Sequence, residues 1–150
     1  MKLSFKSNTY NSLDKILQDD QPMEFIWVVE CRSTLFFNEV TKKNKLNILL
    51  STLQKRQVEE IEESVNVHYK HLGFTSSLRK DVLIDSNIPT QYSHIIIPMH
   101  TLNDKKLLVE NVKNGLVIRV KITPTFVWKS MNACGIIWSI HDILANIIYK

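Results

Sequence analysis

Residues Lys106–Pro124 read KLLVENVKNGLVIRVKITP. Two apolar runs flank Asn114-Gly115. That dipeptide between alternating apolar residues is the strongest short-range hairpin signal, because a type I′ turn needs φ > 0 at both central positions. The register that follows sets Lys113 opposite Leu116, Val112 opposite Val117, Glu110 opposite Arg119 and Leu108 opposite Lys121. The other face joins Val109 to Val120 and Leu107 to Ile122. One side of this hairpin is core. The other is solvated and carries a Glu110–Arg119 pair worth about 0.2–1 kcal/mol. Lys121 has no acidic partner in that register, which makes it a candidate anion contact.

Downstream, Ile136, Ile137, Ile140, Ile143, Leu144, Ile147 and Ile148 recur at helical spacing. Cys134, Ile136, Trp138 and Ile140 alternate as in a strand, so helix and strand both stay open, and either is buried against the sheet. Upstream, residues 24–33 (EFIWVVECRS) alternate Phe25, Trp27, Val29 and Cys31 onto one face and predict a central strand. Residues 9–19 predict a short helix, capped by Thr9 or Asn11, striped by Leu13, Ile16 and Leu17, and stopped by Pro22. Such a terminal amphipathic helix makes residues 1–22 a candidate self-association segment. Residues 45–72 carry the helical period, with a possible break near Gln54–Gln57 and Gly73 as C′ residue. A strand through Val65, Val67 and Tyr69 is the competing reading. Residues 74–92 read as a long loop with a short strand at Val82–Ile84. His94–His100 reads as an edge or bulged strand, since Pro98 cannot donate to a ladder. The fold class expected is α+β: a single domain over residues 1–150, mainly antiparallel sheet packed by helices.

The chain has 150 residues, 44% apolar and 23% charged, enough for one domain with a real core. Its net charge of +4 biases it mildly toward RNA, DNA or acidic lipid. Two distant cysteines, Cys31 and Cys134, make no disulfide framework and suit a reducing compartment. The first ten residues lack an apolar core of the secretory type. The longest apolar stretch is broken by Ser139, His141, Asp142 and Asn146, so any membrane contact would be peripheral. Gly73, Gly115 and Gly135 are the only glycines, and no two lie close together, which argues against a phosphate-cradling glycine loop.

His68-x-x-His71 has i, i+3 spacing but no third ligand nearby, and His68 completes an apolar stripe. His94 and His100 would stand about 20 Å apart on a straight strand. His141-Asp142, near Cys134 and Ser139, lacks a nucleophile elbow. Glu59–Glu63 reads as a solvated helix face beside Lys55 and Arg56. No catalytic residue, metal or cofactor is therefore expected, and the chain reads as a non-enzyme. Lys42, Lys43 and Lys45 form the densest basic patch and, with Lys121, are the candidate contacts to RNA or lipid. No basic run interleaves with aromatics as in single-strand binders.

The order FIWVVECRS, helix, IIIPMH, KNGLVIRVKITP and GIIWSIHDI resembles the globular part of matrix proteins of rhabdoviruses and related negative-strand RNA viruses. The resemblance implies a non-enzymatic virion protein, also found in host cytoplasm. It would self-associate and bridge viral ribonucleoprotein to an anionic membrane surface, with peripheral contact only. The chain departs from that family in having only Lys2 and Lys6 near its N-terminus and no Pro-Pro. The alternative is an RNA-binding module, such as a viral suppressor of host defence, with a steep salt dependence. A third reading is a small hydrolase using His141 or a Cys134 thiolate.

Overall fold

The computed structural model describes residues 2–7, 12–38, 43–91 and 94–150. The Thr9 and Asn11 caps and Lys42 lie outside these. In chain order the strands are β1 (Ser4–Ser7), β2 (Leu13–Leu17), β3 (Phe25–Cys31), β4 (Phe36–Asn38) and β5 (Lys43–Leu49). Helix α1 (Thr52–His68) follows. Then come β6 (Gly73–Thr75), β7 (Leu78–Arg79), β8 (Leu83–Ile88), β9 (Thr90–Gln91), β10 (His94–Ile95) and β11 (Met99–Thr101). A 3-10 turn at Val109–Asn111 precedes two long strands, β12 (Val117–Lys129) and β13 (Ala133–Ala145).

Five of these strands close a ring. β12 pairs antiparallel with β3, β3 with β5, and β5 with β8. β8 joins β13 in parallel at Asn87–Ser139, and β13 returns to β12. A closed five-stranded barrel with this strand order is the OB-fold topology. Closure removes the sheet edges of its members. Trp27, Val29, Leu46, Ile48, Ile84, Ile88, Ile118, Val120, Trp138 and Ile140 fill the interior. Trp27 and Trp138 sit 6.0 Å apart, ring to ring.

The expected α+β sheet packed by helices is thus corrected to a mainly β barrel. α1 is the only α-helix among the described residues. The segment 45–72 is not helical throughout, because Leu46, Ile48 and Leu50 alternate inward and join the ring as β5. α1 begins where Ser51 and Gln54 form a reciprocal capping box, each side chain bonding the other's backbone N–H. It buries Val58, Ile61 and Val65 in the common core. Gln57 accepts a hydrogen bond from Trp27 Nε1 at 3.0 Å. Residues 13–17 are not helix either. They form β2, which pairs with β1 and lies along β12. The stripe of Leu13, Ile16 and Leu17 therefore belongs to a strand and not to the expected helix.

Asn114-Gly115 does not fold a hairpin. Gly115 has φ 95° while Asn114 stays at negative φ, and Leu116 N bonds Lys113 O at 3.1 Å. That is a type II arrangement, whose twist splays flanking strands. The preceding chain turns through Val109–Asn111 instead, and Gly115 N and Leu116 O bond Cys31 of β3. Arg119 consequently faces Val28 and Leu144, with no Glu110 opposite. Positive φ at both central positions occurs at Asp19-Asp20 and Lys80-Asp81.

The C-terminal segment is strand. β13 buries Cys134, Ile136, Trp138 and Ile140, then changes phase and buries Ile143 and Ala145. The change occurs at a bulge, where Lys121–Ile122 oppose Asp142 and Ile140 and leave His141 extra. A second bulge at Thr125 lets Pro124 stand inside β12.

Candidate functional site

Because Leu46 and Ile48 point into the barrel, Lys43, Lys45 and Asn47 point out of it. On β8 the outward partners are Asn87 opposite Lys45 and Asp85 opposite Asn47. On the other side of the parallel seam β13 presents Ile137 and Ser139. β12 adds Phe126 opposite Ile137 and Trp128 opposite Gly135. On the flank of β5, Phe36 of β4 faces Lys45. Lys43, Lys45, Asp85, Asn87, Trp128 and Ile137 line a concavity of about 400 Å³ on this face.

Two local features shape it. A Cβ at position 135 would lie 2.6–2.7 Å from three atoms of the Trp128 indole, so the ring rests directly on the glycine backbone. That close approach requires Gly135. Lys45 is half-buried, and burial, reinforced by the charge of Lys43, holds its pKa below the ordinary lysine value against the pull of Asp85. Asp85 is itself engaged by Arg79 at 2.7 Å. The remaining oxygens Asp85 Oδ1 and Asn87 Oδ1 are buried without a hydrogen-bond partner among the described residues. The face is therefore concave, basic and aromatic over a polar floor. It can hold a planar apolar group against the indole and an anion against the ammonium groups.

Of the four candidate lysines, the structure brings together Lys43 and Lys45. Lys42 lies outside the described residues. Lys121 stands before the first bulge, between Ile26 and Asp142, and does not line the concavity. Trp128, Gly135, Asn87 and Asp85 escape a reading of the sequence, because the lysines of the site come from β5 and its indole from β12, strands far apart along the chain. The Phe126-x-Trp128 spacing is the signal that could have pointed to them.

The other candidates disperse. His68 and His71 are exposed, and His68 packs on Phe5 at 4.4 Å. Among the described residues no three His, Cys, Asp or Glu side chains gather as a metal would need. Cys134 and His141 are seven residues apart on one strand, about 20 Å. Burial, with Glu30 adding its charge, pushes the Cys31 thiol up to about 12, and burial also raises Cys134. Neither thiol is a thiolate near neutral pH.

Solved structures with the same architecture are single-stranded DNA-binding proteins of bacteriophage Enc34. A C-terminal truncation of that protein aligns with TM-score 0.56 at 12% identity, covering 99% of this chain and 97% of the other. The same protein in complex with single-stranded DNA aligns at 0.54 and 12%, again over 99% and 97%. A further structure of the Enc34 single-stranded DNA-binding protein aligns at 0.55 and 12%, over 100% and 92%. At this identity the likeness shows the fold. No family model matches the chain, and no curated protein matches it.

These alignments run from end to end and overturn the rhabdovirus resemblance. The segments that carried it, IIIPMH and GIIWSIHDI, are a broken edge and the last barrel strand rather than parts of a matrix domain. The matrix function falls with it, and so does the bridge from ribonucleoprotein to membrane.

Proposed function

We propose that this chain binds single-stranded DNA on the outer face of β5, β8 and the β12–β13 ends. The carrying observation is the concavity in which Trp128, seated on Gly135, shares the surface with Lys43 and Lys45. OB barrels bind oligonucleotides on the face of their second and third strands, between the loops that flank it. β5 and β8 are those strands here, and the β12–β13 loop stands beside Trp128. The Enc34 protein, which shares the fold, is itself seen in complex with single-stranded DNA. Base stacking on the indole supplies sequence-tolerant affinity, about 1–3 kcal/mol per base. The lysines attract phosphate and release counterions. The reading contains no chemical step.

Intrinsic fluorescence tests it. Trp27 and Trp138 are buried, whereas Trp128 is half-exposed. Oligothymidylate should therefore quench mainly Trp128, and Trp128→Ala should weaken binding by about 5- to 150-fold, the equivalent of one stacked base. Absence of binding at low salt, or full affinity in Trp128→Ala, would contradict the assignment.

A further inference from the structure

The start of β5 borders a second concavity. Asn44, between Lys43 and Lys45, points to the opposite side of the strand and lines a larger cavity of about 810 Å³. Its walls are apolar, with Ile97, Met99 and Leu107 among them, and its charged or titratable groups are His94, His100 and Lys106. The walls hold together because β11 is doubled back upon by the following chain. Leu107 N bonds Met99 O at 2.9 Å, and His100 pairs across to Lys106. His94 and Lys106 are exposed at the rim. Among the described residues no Asp or Glu lines the cavity. A carboxylate does pair with one lining group: Asp104, 3.4 Å from His100, points into solvent.

Apolar walls under a basic rim suit a ligand with one flat apolar part and one anionic part. The volume lies in the range of small-molecule sites, about 300–1,000 Å³. A nucleotide has that chemistry. The two concavities lie on opposite sides of the start of β5, where Asn44 lines this one and its chain neighbours Lys43 and Lys45 line the other. We propose that this cavity is a second nucleotide subsite on the same strand of DNA. It takes a base against Ile97 and Val109 and a phosphate at Lys106 and His94. The proposal rests on the reading that Lys43, Lys45 and Trp128 hold single-stranded DNA.

Length dependence separates the two sites. OB domains occupy about 4–16 nucleotides, so oligothymidylates of about 5 and about 15 nucleotides are compared by fluorescence anisotropy. Lys106→Glu and Val109→Glu are the variants. Both positions are exposed, and Val109 lines the same cavity. The expected result is a loss of about tenfold on the long oligonucleotide and none on the short one, while Trp128→Ala weakens both. Wild-type affinity of both cavity variants for the long oligonucleotide would overturn the second subsite and leave the first standing. Failure of the wild type to bind either length would remove the DNA reading itself.

Discussion

At position 135 a hydrogen atom in place of a methyl group decides where an aromatic ring lies. Gly135→Ala puts a carbon 2.6 Å from the indole of Trp128, so the ring must leave its seat. Its DNA affinity should fall about as far as in Trp128→Ala, roughly 5- to 150-fold, with the barrel retained by circular dichroism. A variant that binds as tightly as wild type would show that the seat is irrelevant. Asp14 links β2 to β12 and to the residue that ends α1. It is buried beside Lys129 at 2.8 Å and accepts from Tyr69. Burial alone would raise its pKa. Hydrogen bonds from Lys129, Tyr69 and Ser7 and the charge of Lys129 outweigh burial and lower it. Between the depressed folded value and the ordinary unfolded value of about 3.9, the unfolded chain binds more protons, so stability falls as pH falls through that window. Asp14→Asn should lose less stability on acidification through that window than wild type does. An equal loss, measured by denaturant unfolding at each pH, would exclude Asp14 as its origin. Lys43 and Lys45 are legible in the sequence as a basic cluster. Trp128 is not, because its significance depends on a glycine seven positions away on another strand.

At the scale of elements, β3 is legible throughout, since Phe25, Trp27, Val29 and Cys31 alternate without interruption. β13 is ambiguous for a physical reason. The bulge at His141 shifts inward-facing residues from even to odd positions, so Ile136, Ile140 and Ile143 acquire spacings of four and three. That is the signature of a helix, produced here by a phase slip in a strand. β5 imitates a helix because Leu46, Leu49, Leu50 and Leu53 join the end of a strand to the start of a helix across the Ser51 cap. The hairpin at Asn114-Gly115 fails because only one of its residues takes positive φ. Gly115→Ala should therefore cost about 1 kcal/mol, whereas Asn114→Ala should cost close to nothing. Chemical denaturation distinguishes them, since a type I′ turn would be destabilised at both positions. Lys80-Asp81 takes two positive φ values without glycine, a turn that no residue type announces.

At the scale of the whole molecule, one topological fact organises the rest. The parallel seam between β8 and β13 closes the ring and carries Asn87 to Ser139. It also brings the β12–β13 ends, with Trp128, to the side of β5 that carries Lys43 and Lys45. Nothing in local sequence announces a parallel contact between positions so distant along the chain, which is why neither the barrel nor its face can be read in advance. In the proposed complex these two lysines neutralise phosphates of a single strand stacked on Trp128. The direct test is the salt dependence of oligothymidylate affinity for the wild type and for Lys43→Glu/Lys45→Glu. Each lysine–phosphate contact contributes about 0.7 to the slope of log K against log salt concentration. The double variant should therefore bind weakly at low salt and show a slope shallower by about 1.4. An unchanged affinity and slope would contradict the account.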